Sequence, residues 1–114
     1  MKYRLALTVF LALTSAQALA HSEKESMTPE NGAVLAAVPE TIGLRFNDGM
    51  RLTKVEMTHA ETHTESLDLG TQSGFVKEFS LPLTSMGPGA YQIEWRGLGV
   101  DGHPMNGAFS FEVQ

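Results

Sequence analysis

Several short stretches of the chain alternate apolar and polar residues with a period of two, the pattern of strands that bury one face and hydrate the other. In Thr41–Phe46, Ile42, Leu44 and Phe46 fall on one face and Thr41, Gly43 and Arg45 on the other. Gly89–Leu98 sets Tyr91, Ile93 and Trp95 against Gln92, Glu94 and Arg96, and Ala108–Val113 aligns Phe109, Phe111 and Val113. Phe75–Leu81 alternates as well, with Phe75, Lys77, Phe79 and Leu81 on one face, interrupted by the charge of Lys77. Less regular alternation marks further strands at Leu52–Thr58, Glu65–Leu69 and Glu23–Thr28, the last an edge strand ended by Pro29. Turn residues separate these runs at Asn31-Gly32, Asp48-Gly49, Ser73-Gly74 and Gly87-Pro88-Gly89. The Ala-rich stretch Asn31–Val38 has room for a short helical turn but no long helix. About seven short strands at this spacing predict an all-β fold, an antiparallel Greek-key β-sandwich or barrel. Tyr91, just past the Pro88-Gly89 turn, is placed for a tyrosine corner, and Trp95 on the same face belongs to the core.

The first twenty residues read differently. Lys2 and Arg4 precede an apolar run from Leu5 to Leu13, and Ala18-Leu19-Ala20 has the small-x-small form that signal peptidase accepts. Residues 1–20 are therefore expected to be a cleaved secretory signal, with 21–114 as the mature domain. The apolar run is short for a bilayer span and no second one follows, so no membrane anchor is expected after cleavage. Removing the signal leaves 94 residues with six Lys and Arg against thirteen Asp and Glu, a formal charge of -7, and His21 becomes the first residue.

Composition narrows the chemistry. An acidic chain with no basic cluster argues against a nucleic-acid partner. The absence of Cys excludes disulfides and thiolate metal sites. Neither a Gly-x-Ser-x-Gly elbow nor a phosphate-binding glycine loop is present. What remains is histidine: His21, His59, His63 and His103. His103 lies in Asp101-Gly102-His103-Pro104, between two predicted strands. Gly102 tolerates positive φ and Pro104 holds His103 extended, so a tight turn here can aim Asp101 and His103 at one centre. The same residues also suit an ordinary Asp-Gly hairpin with an exposed His. A first-residue His shifts that balance, because its α-amino nitrogen and imidazole chelate a single ion. A third nitrogen from His103 then favours the tetragonal field of Cu(II), with Asp101 as an axial or water-bridged oxygen.

At these positions the sequence resembles the CopC family, the small periplasmic copper-binding proteins of copper resistance and uptake operons, the PcoC and YobA group included. The resemblance spans essentially the whole mature chain. It rests on His21, on Ser26–Pro29 followed by Asn31–Pro39, on Leu44-Arg45-Phe46, on Gly87-Pro88-Gly89-Ala90-Tyr91 with Trp95, and on Asp101–Phe111. It implies a cupredoxin-like or Ig-like barrel that binds Cu(II) through the amine and imidazole of His21 together with His103 and Asp101. It further implies a copper chaperone of the periplasm rather than an enzyme, often beside a CopD-type inner-membrane copper permease. Members that also bind Cu(I) carry a closely spaced Met cluster after the strand matching Leu44–Phe46; here that region has only Met50 and Met57, so one Cu(II) ion and no separate Cu(I) site are expected. Met57, His59 and His63 remain either a remnant soft site or simply solvent-exposed histidines at a strand end and in the following loop. A metal-free Ig-like interaction module and a copper-dependent oxidase are the competing functions.

Overall fold

The computed structural model describes residues 25–114, which form seven strands: β1 (Glu25–Thr28), β2 (Ala33–Leu35), β3 (Thr41–His59), β4 (His63–Ser66), β5 (Val76–Pro82), β6 (Gly89–Gly99) and β7 (Pro104–Val113). The backbone path runs β1-β3-β6-β7-β2, with β4 and β5 also pairing with β3. All pairings are antiparallel except β2 with β7, which is parallel.

The long strand β3 organises the fold. Sequence patterning divides it into Thr41–Phe46 and Leu52–Thr58 with a turn at Asp48-Gly49; the structure instead runs one strand through both. Gly49 makes this possible, since a Cβ there would lie 2.9 Å from Phe75 Cβ and 3.2 Å from Val100 Cγ1. Two register irregularities bend the strand, one between Arg45 and Met50 against β5 and one between Leu52 and Lys54 against β6. The second changes which parity faces inward. Ile42, Leu44, Phe46, Met50 and Leu52 are buried before it, Val55 and Met57 after it.

The bend gives β3 different neighbours along its length. β1 and β5 both flank Gly43–Arg45 and so occupy opposite edges; β4 and β6 both flank Glu56–His59 and do likewise. At Met50 the two edges carry Val76 of β5 and Gly99 of β6. β1 and β6 therefore share one edge of β3, end to end, with Asn47–Gly49 between them.

The core is the inner face of these strands, with Tyr91, Ile93 and Trp95 from β6 meeting Phe109, Phe111 and Val113 from β7. Phe46 meets Trp95 edge-on at 5.0 Å, and Tyr91 stacks on Phe111 at 5.1 Å. Trp95 lies flat on Gly107, where a Cβ would come within 2.6 Å of Nε1. The Tyr91 hydroxyl donates to the Gly87 carbonyl at 2.6 Å and accepts from the Met86 N–H at 3.0 Å, which is the expected tyrosine corner.

Other expectations need correction. Asn31–Val38 contains strand β2 and no helical turn, because Gly32, at φ +84°, turns the chain alongside β7. Asn31 Oδ1 accepts from Ser110 N–H and Gly32 N–H donates to the Ser110 carbonyl, fixing the parallel pairing. The Phe75–Leu81 face is only half realised: Phe79 and Leu81 pack inward while Phe75 and Lys77 stay exposed. The weak strand falls at His63–Ser66 rather than Glu65–Leu69, set by its pairing with Glu56–His59. Between β4 and β5 the edge of β3 is closed by a side chain. Gln72 accepts from Leu52 N–H and donates to the Leu52 carbonyl, both at 2.8 Å, in place of a strand neighbour.

Candidate metal centre

The turn joining β6 to β7 holds two of the residues singled out from sequence. Gly99 N–H donates to the His103 carbonyl at 3.0 Å and Gly102 N–H to the Gly99 carbonyl at 2.9 Å, with Gly102 at φ +81°, so the backbone doubles back within five residues. Pro104 begins β7 and leaves His103 just outside the ladder. The turn thus meets both sequence expectations at once: it is an Asp-Gly hairpin, and it brings Asp101 against His103.

The contact between them is two-pronged. Asp101 Oδ1 accepts the His103 backbone N–H at 3.1 Å, and Asp101 Oδ2 accepts from His103 Nδ1 at 2.9 Å. These bonds, the backbone one foremost, hold the Asp101 carboxyl below its ordinary value of 3.8. The imidazole is 80% exposed. With Nδ1–H committed to the carboxylate, Nε2 carries the free lone pair, the usual arrangement of a metal-binding His oriented by a carboxylate. Gly99 crowds the pair from beneath, for a Cβ there would lie 2.9 Å from Asp101 Oδ1 and 3.3 Å from Met105 Sδ. Sequence reasoning missed this role of Gly99, which depends on the turn's closure and leaves no local signal.

A cavity of about 480 Å³ opens beside the pair, lined by Phe46, Asp48, Met50, Val100, Asp101 and Met105 among others. Glu25, where β1 starts, pairs with Phe46 on this rim. His21 and the expected signal lie outside the described residues. Among the described residues no group of three or more His, Asp or Glu gathers around one point. The Asp101–His103 pair thus offers two potential donors, with no third beside them among the described residues.

His59 and His63 do not supply it. They face each other across β3 and β4, at the hairpin whose neighbouring Ala60 and Glu61 have positive φ. His59 Nε2 donates to the Pro88 carbonyl at 2.8 Å and its ring packs on Tyr91 at 4.8 Å; His63 lies 3.7 Å from Glu65. Met57 is wholly buried, so its thioether is sealed in the core.

A small β-sandwich with a carboxylate-oriented His exposed on its rim is the class that the fold and the turn define. The CopC domain profile matches residues 24–114, and the chain belongs to the CopC family. Copper resistance protein C of Pseudomonas syringae pv. tomato is 32% identical over 119 residues, covering 94% of this chain and 93% of that protein. Protein YobA of Escherichia coli (strain K12) is 26% identical over 118 residues, covering 100% of this chain and 94% of the relative. Among solved structures, CopC from Methylosinus trichosporium OB3b superposes with a TM-score of 0.66 at 23% identity, covering 78% of this chain and 89% of that one. PcoC, a methionine-rich copper resistance protein from Escherichia coli, gives 0.56 at 27% identity, covering 78% and 94%.

Proposed function

We propose that the chain is a periplasmic Cu(II) carrier, exported by cleavage after Ala20, that holds one ion between its new terminus and the β6–β7 turn. The His21 amine and imidazole supply two nitrogens, His103 Nε2 a third, and Asp101 both orients His103 and offers an oxygen. Four residue steps separate Glu25 from His21, the same number that separate Phe46 from Met50 along β3. At about 3.3 Å per extended residue the segment spans about 13 Å. Continued in line with β1, which shares its edge of β3 with β6, a segment of that length would reach the rung where Met50 pairs with Gly99 at the base of the turn. That shared edge, with the Asp101–His103 pair at its far side, is the observation that carries the reading. A nitrogen-rich donor set with an imidazole and an amine suits Cu(II) above other divalent ions.

The function is carriage, not turnover: release follows when the terminal segment lifts away, handing the ion to a recipient such as a CopD-type permease. The test is a Cu(II) titration with electron paramagnetic resonance on protein beginning at His21, beside a variant with one extra N-terminal residue. One tight, nitrogen-rich tetragonal site lost in the extended variant supports the reading. Equal binding by both, or none by either, overturns it and leaves a metal-free interaction module as the better account.

A further inference from the structure

Four of the five large apolar side chains left exposed among the described residues gather at one end of the sandwich. Phe75, Val76, Val100 and Met105 stand 39–60% exposed there, and only Val34 lies elsewhere. Gly49 lets them meet. Phe75 reaches it from the β5 side of β3 and Val100 from the β6 side, so close that a Cβ on Gly49 would fall 2.9 Å from one and 3.2 Å from the other. Val76 pairs with Met50, and Met105 Sδ sits beside Gly99, the partner of Met50 on the opposite edge. The patch runs into the metal turn, since Val100 immediately precedes Asp101, and Gly49, Val100, Asp101 and Met105 line one cavity. Charge is distributed around it just as unevenly. The Arg51 guanidinium lies over the Phe75 ring at 5.6 Å. Arg51 pairs with Leu98 and, just beyond, Lys54 pairs with Arg96, so three exposed cations of the six in residues 21–114 stand beside the patch. Glu56 holds Lys54 at 2.8 Å, whereas among the described residues Arg51 and Arg96 have no carboxylate partner.

Four side chains at those exposures leave on the order of 300 Å² of apolar surface, comparable to the largest patch on a typical monomer and often functional at that size. A stable pair needs about 800 Å² on each partner, so the patch suits a brief encounter rather than a permanent dimer. The mature chain as a whole is acidic, and a cluster of cations at one end turns that end toward an acidic partner. An anionic lipid surface fits less well, because Asp48 and Asp101 share the rim with the apolar residues. We propose that this patch is the docking face for a copper-exchange partner: an acidic protein that seats a small apolar surface on Phe75 and Val100, sets a carboxylate on Arg51 and stays only for the transfer. The partner's role in exchange rests on the carrier reading above; where it docks follows from exposure and charge alone.

The experiment places the photo-cross-linker p-benzoylphenylalanine at Phe75 and, as a control, at Val34, in the full chain expressed in its own host, and identifies the adducts by mass spectrometry. The captured protein is then purified and titrated against protein beginning at His21, metal-free and Cu(II)-loaded. Val100→Ser and Val34→Ser truncate matched side chains, 60% and 59% exposed, so both variants keep the fold. The expected result is one acidic protein captured from the Phe75 position and not from Val34. Val100→Ser weakens its binding about fivefold or more and Arg51→Glu about tenfold or more, the latter effect fading as salt rises, while Val34→Ser stays within about twofold. No adduct at Phe75, equal adducts from both positions, an adduct only with a second copy, a captured protein that is not acidic or does not bind once purified, or binding instead to phosphatidylglycerol vesicles overturns the inference. Docking that depends on Val100 and Arg51 in a protein that binds no Cu(II) upholds the face and overturns the carrier reading. Tight Cu(II) binding with no partner at Phe75 does the reverse.

Discussion

Replacing Gly99 with Ala separates the geometry of the centre from the stability of the fold. The new Cβ would sit 2.9 Å from Asp101 Oδ1 and 3.3 Å from Met105 Sδ, and its next neighbour, the His103 carbonyl, is at an ordinary 3.8 Å. Both close atoms end exposed side chains, so they can yield without disturbing the core. Asp101 cannot yield and keep its bonds, however. To restore van der Waals distance its carboxylate must move by more than half an ångström, on the order of the tolerance for positioned ligands, and bonds now at 3.1 and 2.9 Å to His103 cannot both survive. The imidazole then loses the partner that fixes its ring and leaves Nε2 free. Loss of such a partner costs about 10- to 100-fold in metal affinity, or about 1.4 to 2.8 kcal/mol. Folding stability should change by less than about 1 kcal/mol because, although Gly99 is buried, the side chains that must give way are exposed. Cu(II) competition titrations and urea unfolding followed by Trp95 fluorescence measure the two quantities on the same sample. Wild-type affinity in Gly99→Ala would refute the orienting role of Asp101, and a large loss of stability would show that Gly99 serves the fold.

Three further expectations concern the frame and its charge. Gly107→Ala drives a Cβ to within 2.6–2.8 Å of the Trp95 indole; the ring is rigid and buried, so the variant should lose about 1–3 kcal/mol in urea unfolding without altering the turn. Gln72→Ala removes both bonds to Leu52 on an otherwise uncovered stretch of β3 and should cost about 1–2 kcal/mol, with the Leu52 amide exchanging faster with solvent. The Asp101 carboxyl is held below 3.8 in the fold, so its contribution is complete above about pH 4 and is lost as pH falls through the lowered folded value. A carbon-detected titration of Asp101 should therefore show a midpoint below 3.8 that returns toward it in His103→Ala; an unshifted wild-type midpoint contradicts the geometry.

Most of the frame was legible because burial in a two-layer β protein imposes period two. Tyr91, Ile93 and Trp95, then Phe109, Phe111 and Val113, announce both their strands and their inner face. The misreadings share a cause. Asp48-Gly49 has the composition of a hairpin turn, but its glycine is needed because Phe75 and Val100 press on it from other strands, a constraint visible only in three dimensions. The same holds for Ala33–Leu35, whose strand state is imposed by β7 against an Ala-rich local preference. Asp101 and His103 could be paired from sequence because two positions and a Gly between them suffice to define a turn. Gly99 could not, since its crowding of Asp101 appears only once the turn has closed, and Gln72 could not, since its partner Leu52 lies twenty residues away in the chain.

The arrangement also bears on how a tightly held ion could leave. Asp101 and His103 stand on a turn anchored by the longest pairing in the molecule, ten rungs between β6 and β7, so this half of the centre is rigid. The segment proposed to carry the other donors emerges from β1, which holds β3 by only four rungs and buries little of itself. Free energies of local opening fall with contact and burial, which makes the start of β1 the element that yields first. Lifting it would remove the two nitrogens of His21 together and leave only the weaker hold of His103 Nε2 and the Asp101 oxygen, while the core of Trp95, Tyr91 and Phe109 stays closed. In the proposed carrier, affinity and lability would therefore be governed by different elements: the turn would set how well the ion is held, and the short edge strand how readily it is given up.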